Sequence, residues 1–315
     1  MKEITDKIRE ISKKILSEGK VDMVVGFRKG TLGHMSEPFI ARNEKDADEL
    51  IFDCTCRMNL VNYITNKTEK IGIVVKGCDS RNLVTHIVEN KIKRDQLYII
   101  GVPCTGLADK NALLEAAEGE ILSLEDDADN VTIKGDGFEK SLKKADILQL
   151  NCKTCIKRNP VLSDELAGAE VPELEIENRF ADVEEVEKMS DSERWAFFGD
   201  LLKECTRCYA CRNACPLCYC PTCFVDESKP QWVGKGTDPM DVKTYHFLRA
   251  FHDAGRCTDC GACEAACPMD IKMRYFTRKT IKDCVDKYGW ETGMSLDVRP
   301  PLDTFKIDDP QDFIK

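Results

Sequence analysis

Unbroken apolar runs mark the first half of the chain. Ile71-Gly-Ile-Val-Val75 and Leu97-Tyr-Ile-Ile100 are rich in β-branched residues, the pattern of strands covered on both faces of a parallel sheet. The stretch Ser80 to Asn90 between them has helical spacing, so the three pieces make a βαβ unit with a right-handed crossover expected. Upstream, a polar-faced helix from Glu3 to Ser17 precedes a strand at Val21–Val25, a glycine-containing connection over Gly26–Gly33 and an extended piece at Pro38–Ala41. Asp46–Phe52 and Arg57–Thr65 carry helical spacing, Gly-Asp-Gly at 135–137 signals a loop, and Ile147–Leu150 is a candidate last strand.

Beyond residue 190 the apolar positions recur at helical intervals. Ser190-x-x-Glu193 is a capping box opening a helix with the stripe Trp195, Phe198, Leu201 and Leu202. Thr237 or Asp238, with Pro239 in the first turn, opens a second helix carrying Val242, Tyr245, Leu248 and Phe251. Asp270 is positioned to cap a third helix, which runs to Tyr288 and stops at Gly289. The fold class expected is an α/β domain with a mostly parallel sheet over residues 1–158, then a mainly helical domain over 191–289. Residues 159–190 are acidic and weakly patterned and read as a linker, and 290–315 as an extended C-terminal arm.

Charge narrows the partners. Against 46 basic residues stand 56 acidic ones, a net charge of -10, which repels phosphate backbones and anionic headgroups, so no nucleic-acid partner is expected. No apolar run approaches the roughly 20 residues that span a bilayer, so no membrane insertion is expected. The charged opening MKEITDKIRE has no apolar export segment, which points to the cytoplasm. In that reducing compartment the 18 cysteines read as metal ligands rather than disulfides.

Two runs specify the metal. Cys205-x2-Cys208-x2-Cys211-x3-Cys215-Pro216 and Cys257-x2-Cys260-x2-Cys263-x3-Cys267-Pro268 both have the spacing of bacterial two-cluster ferredoxins. Three thiolates two residues apart fit a loop that wraps one cubane, and the fourth leaves the loop to ligate the other. Cys205, Cys208, Cys211 and Cys267 are therefore assigned to one 4Fe-4S cluster, and Cys257, Cys260, Cys263 and Cys215 to a second. A pair of zinc ribbons would not need the third cysteine or the repeated CxxxCP. The 42-position separation of Cys215 and Cys257, with a helix inside it, departs from compact ferredoxins. It resembles the helical ferredoxin domains of heterodisulfide reductase C subunits and succinate dehydrogenase iron–sulfur subunits. Cys218, Cys220 and Cys223 are either buried thiols or part of another metal centre, and Cys284 is expected to be a core thiol.

Cys54, Cys56, Cys78, Cys104, Cys152 and Cys155 form a further set. Cys78 and Cys104 follow the two buried strands, at the carboxyl edge where open α/β sheets bind ligands. A third 4Fe-4S site is expected there, from Cys104, Cys152 and Cys155 with one of Cys54, Cys56 or Cys78.

The segments KGCDSRN at 76–82 and IIGVPCTG at 99–106, followed by CxxC, resemble the beta-subunit family of the F420-reducing hydrogenases and F420-linked formate dehydrogenases. The resemblance implies FAD beside the clusters, a ligand or flavin role for Lys76, Gly77, Cys78, Asp79, Ser80 and Arg81, and a cluster role for Cys104. It implies an electron-transfer subunit whose partners are other redox subunits: a formate dehydrogenase or hydrogenase catalytic subunit, or a heterodisulfide-reductase-like flavoprotein. Gly77 would allow close approach, and a helix N-terminus with Lys76 and Arg81 suits a diphosphate. The alternatives are a flavoenzyme that reduces a soluble carrier (deazaflavin or nicotinamide) by itself, and a zinc-binding assembly scaffold. No catalytic side chain is assigned, since His34, His86, His246 and His252 flank no nucleophile.

Overall fold

The computed structural model describes residues 1–127 and 129–304. In chain order come helix α1 (Lys2–Ser17), strands β1 (Met23–Lys29) and β2 (Ser36–Ala41), the one-turn α2 (Glu44–Ala47), β3 (Ile71–Val75), α3 (Gly77–Val88), β4 (Leu97–Gly101) and α4 (Lys110–Ala116). Next are β5 (Ile121–Asp126), β6 (Asn130–Gly135), β7 (Phe138–Lys143), α5 (Leu150–Lys153), β8 (Glu165–Leu166) and α6 (Ala181–Glu187). The helical part holds α7 (Asp191–Leu202), α8 (Ala210–Asn213), α9 (Pro239–His252), α10 (Ala262–Ala265) and α11 (Arg274–Tyr288).

The main sheet has the order β2-β1-β3-β4-β8. Its β1/β3, β3/β4 and β4/β8 pairs are parallel, and β2 adds an antiparallel edge. All five residues of β3 are buried, as its unbroken apolar run requires. Ile8, Ile11 and Ile15, at helical spacing on α1, are buried in the same core. Gly72 lets α1 approach closely, since a Cβ there would lie 2.9 Å from the Ile15 side chain.

Four expectations are corrected. The helical spacing of 46–52 and 57–65 produces only α2 and a 3-10 turn at Leu60–Tyr63, because Ile51 N donates to Phe27 O (2.8 Å) and ties the chain to the sheet edge. Ile147–Leu150 is no strand: Leu148 makes one isolated bridge to Ala108, and α5 follows. The place beside β4 is filled instead by β8, from the segment read as a linker. There Asp164 N donates to Ile99 O (2.9 Å), and the Asp164 carboxylate accepts from Ile99 N (2.7 Å). Asp270 does not cap α11, which starts at Arg274; its backbone has φ 51° and its carboxylate binds Lys272 instead. A further antiparallel sheet, β5-β6-β7, had no expectation; its strands mix charged, polar and apolar residues, and only Ile121, Val131 and Ile133 in them are buried.

The helical signals hold. Ser190 and Glu193 form the reciprocal capping box, and Asp238 accepts from Met240 N (2.9 Å) with Pro239 in the first turn. Gly289 ends α11 in the left-handed region at φ 59°.

One feature of α3 joins the two halves. Its Leu83 sits in the sheet core, while its polar Arg81, Asn82, Thr85 and His86 are also buried, against the helical part. Asn82 Nδ2 donates to Thr258 Oγ1 (2.7 Å), and Arg81 Nε donates to Thr292 O (2.8 Å). Gly293 presses on Arg81, where a Cβ would stand 2.1 Å from a carbonyl oxygen, and Arg299 donates to Val88 O (2.9 Å). The described part of the C-terminal segment is thus a strap across α3; residues 305–315 of the expected arm lie outside the described residues.

At the end of α3, the Glu89 carboxylate accepts from Arg256 (2.9 Å) and from Tyr219. Burial opposes its ionisation, but the hydrogen bonds from Arg256 and Tyr219 outweigh it and hold the carboxyl below its ordinary value of 4.5. The resulting stability is complete above pH 4.5 and is lost as the pH falls through the depressed value. Glu89→Gln leaves the half-buried Arg256 without this counter-charge and should cost about 2 kcal/mol at neutral pH. Denaturant unfolding should show that loss at pH 7 and a smaller acid dependence in the variant.

Candidate metal centres

The two cysteine runs fold alike. Each CxxCxxC loop has the left-handed region at the same positions: Arg207 (φ 52°) and Tyr209 (φ 61°) in the first, Asp259 (φ 59°) and Gly261 (φ 77°) in the second. Only glycine takes this conformation freely, so three of the four positions are strained and persist because neighbours hold them. Arg207 is held by Gly236 O (3.0 Å) and Tyr209 OH (2.9 Å), and Asp259 by Arg274 and Arg278. The kinks curl each loop around a space and start the one-turn helices α8 and α10, which pack together and carry the fourth cysteine across.

The crossing is visible in what lines each space. Cys205, Cys208, Cys211 and Cys267 line one cavity. Cys215, Cys257, Cys260 and Cys263 line another. Backbone N–H groups already point at sulfur: Asp259 N to Cys257 Sγ (3.4 Å) and Ile271 N to Cys267 Sγ (3.4 Å).

A third cavity opens at the carboxyl edge of the sheet and is lined by Cys78, Cys104, Cys152 and Cys155. Cys78 comes from the first turn of α3, Cys104 from the loop after β4, and Cys152 and Cys155 from α5 and its exit. Gly106 (φ +107°) bends the Cys104 loop, and Leu107 N donates to Cys152 Sγ (3.3 Å). The Lys144–Asp126 ion pair, nearly fully buried at 2.8 Å, steadies this loop through Thr105 Oγ1 (2.9 Å). Burial pushes the Cys152 thiol up to about 12 and Cys155 up to about 11, so metal binding must displace their protons.

Cys54 and Cys56 are not brought to this cavity. Cys54 is buried with Leu113, Ile121 and Val131, and Cys56 lies in the main core. Cys218 stands beside Cys215 and Asp253, Cys220 is exposed, Cys223 is half-buried against Val225 and Val233, and Cys284 is buried.

The loop expected to hold a flavin diphosphate has its polar groups engaged. Lys76 Nζ donates to Asp79 (2.7 Å) and Met58 O (2.9 Å), and both side chains are buried. Ser80 Oγ donates to Gly77 O (2.8 Å) and accepts from Val161 N (2.9 Å), while Arg81 binds Glu291 and Thr292. The close approach at Gly77 is made by the chain itself: a Cβ there would sit 2.0 Å from Lys157 O. The loop therefore does not fit a diphosphate; it carries Cys78 to the third cavity.

The cavities stand in a row. The third and second share Thr258 and Asp259 in their walls, and Thr258 Oγ1 reaches Cys78 O (3.5 Å). The second and first are bridged by Arg249 of α9, which lines the second and donates to Cys211 O (3.4 Å). Next to the first lies an aromatic groove between α7, α9 and α11. Trp195 and Phe251 of the two apolar stripes, together with Phe247, are more than half exposed there. Phe276 connects the groove to the cavity by stacking on His246, whose Nε2 is 3.4 Å from Cys205 Sγ. His246 is kept neutral, pushed down to about 3 by burial and by Arg249 and Arg207.

The model of the 4Fe-4S binding domain matches residues 248–269. The F420-dependent formate dehydrogenase subunit beta of Methanocaldococcus jannaschii is 22% identical, over 94% of this chain and 93% of its own. The F420-dependent formate dehydrogenase 1 subunit beta of Methanococcus maripaludis is also 22% identical, over 94% and 92%. A solved chain from the F420-reducing NiFe hydrogenase complex of Methanosarcina barkeri aligns with 50% of this chain and 63% of its own, at 14% identity and a TM-score of 0.39.

Cys78→Ala should lower bound iron by about four per chain, the content of one cubane, whereas Cys56→Ala should leave iron unchanged. Iron and sulfide analysis after anaerobic purification checks both.

Proposed function

We propose that the chain is a beta subunit of the kind found in the F420-linked hydrogenases and formate dehydrogenases and the electron wire of its complex, with three 4Fe-4S clusters in line. It is an iron–sulfur electron-transfer subunit of a larger oxidoreductase. The observation that carries the fuller reading is the row of three cavities, each walled by four thiols.

In this reading Cys205, Cys208, Cys211 and Cys267 hold the outer cluster, and Cys215, Cys257, Cys260 and Cys263 the middle one. Cys78, Cys104, Cys152 and Cys155 hold the inner one. When bound, the clusters supply one-electron chemistry; the protein supplies spacing, burial and hydrogen bonds to sulfur. The Lys76–Ser80 loop is part of the inner cluster's cradle, so no step is routed through a flavin. Elemental analysis separates the readings. About 12 irons per chain, three cubanes of four, supports the wire, whereas stoichiometric zinc without iron would overturn it in favour of a scaffold. Flavin released on acid denaturation would restore the flavoenzyme.

The aromatic groove is assigned to the catalytic redox subunit of the complex. Large exposed apolar patches mark interaction sites, and this one continues through Phe276 and His246 to the outer cluster's wall, where an electron must enter or leave. Phe247→Glu with Phe251→Glu should leave the iron content intact and abolish co-purification of the partner subunit; unchanged co-purification sinks the assignment.

A further inference from the structure

Buried polar atoms without partners are rare, and each one in a native protein requires an explanation. Among the described residues, five buried arginine nitrogens have none: Arg57 Nη2, Arg179 Nε, Arg207 Nε, Arg249 Nε and Arg274 Nη2. Four of these five arginines line the three thiol cavities, Arg179 the inner, Arg249 and Arg274 the middle and Arg207 the outer. Arg57 alone lies elsewhere, beneath Ala108 and His34.

The rest of each guanidinium is anchored. Arg179 Nη1 donates to Glu291 (2.5 Å) and Arg207 to Tyr209 OH and Gly236 O. Arg274 Nε donates to Asp259 (2.7 Å), and Arg249 Nη2 donates to Cys211 O and pairs with Asp253 (3.6 Å). Each is therefore a fixed cation with one N–H in reserve. A buried guanidinium does not deprotonate, so it keeps its charge at any working pH.

We propose that Arg179, Arg207, Arg249 and Arg274 are positioning residues that direct a reserved N–H at the sulfur of their cluster and raise its reduction potential. The inference rests on the three-cluster reading above and adds to it what sets each potential. The physical reason is the sign of the charge change. A cubane becomes more negative on reduction, so a nearby cation and an N–H donor favour the reduced form. The arginines accept and release no electron. They bias the equilibrium between neighbouring clusters, and the bias is local because each one lines the wall of its own cavity.

The test is a redox titration of the anaerobically purified full chain, followed by electron paramagnetic resonance, for the protein as isolated and for Arg179→Met, Arg207→Met and Arg249→Lys. The last keeps the charge beside Asp253 and removes the planar fork, which guards against misfolding. Iron content is measured on each sample, so loss of a cluster is seen separately from a changed potential. Each variant should lower most the potential of its own cluster: inner for Arg179, outer for Arg207, and middle for Arg249, with a smaller shift of the outer one because Arg249 also donates to Cys211 O. For the two methionine variants the fall should be at least tenfold in the reduced-to-oxidised ratio at fixed poise, about 59 mV for a one-electron couple. Unchanged potentials with full iron overturn the proposal. So does an equal shift of all three clusters, which would indicate a diffuse field rather than directed donors. Protein that binds no iron in its unsubstituted form fails the cluster reading itself, a separate outcome.

Discussion

Asp259 is the point at which the molecule is joined. It stands in a strained left-handed conformation inside the second cysteine loop and lines both the inner and middle cavities. Its carboxylate accepts from Arg274 (2.7 Å) and Arg278 (2.5 Å), one turn apart on α11. Arg278 also reaches Asp182 of α6 and Thr154 beside Cys155. One buried carboxylate thus ties the ferredoxin loop, the last helix, the former linker and the sheet-edge site together. Burial opposes its ionisation, but the two guanidinium groups prevail and hold its pKa below the ordinary carboxylate value. Removing either side would leave a buried charge uncompensated, which is why such a network specifies one arrangement rather than merely adding stability.

That junction explains why the chain is not two domains on a tether. Helix α3 buries its apolar side in the sheet and its polar side against the helical module, so it belongs to both. The cavities are aligned because the wall between inner and middle is a single short stretch, Thr258 and Asp259, and the wall between middle and outer is Arg249. Electron transfer needs fixed separations, and a row of sites built into one another's walls supplies them without relying on a flexible connection.

The cysteine runs were legible because a cubane demands thiols at a spacing that few other structures need. The strands at 71–75 and 97–101, the capping box at Ser190 and the stop at Gly289 were legible for a similar reason: each is a local physical preference written in adjacent residues. Choosing among Cys54, Cys56 and Cys78 was different. All three follow plausible elements, and nothing local separates them. The choice depends on where α3 begins relative to β4, and only Cys78 reaches the cavity.

The short strand β8 and the four arginines lie further still from what a pattern can reveal. Glu165–Leu166 has no strand signature; it pairs because β4 offers an open edge and Asp164 fastens the register. The arginines carry no mark in the sequence pattern, and the burial of Arg207, Arg249 and Arg274 comes from tertiary packing around the thiols. The sequence by itself determined the two cysteine runs with iron–sulfur spacing and most of the helices and parallel strands, since these rest on neighbours along the chain. Only the tertiary structure decided which thiols line the third cavity, the packing of the Lys76–Arg81 loop and the order in which the cavities adjoin. Those depend on contacts between residues far apart in sequence, such as Asn82 with Thr258 and Gly77 with Lys157, which no local spacing encodes.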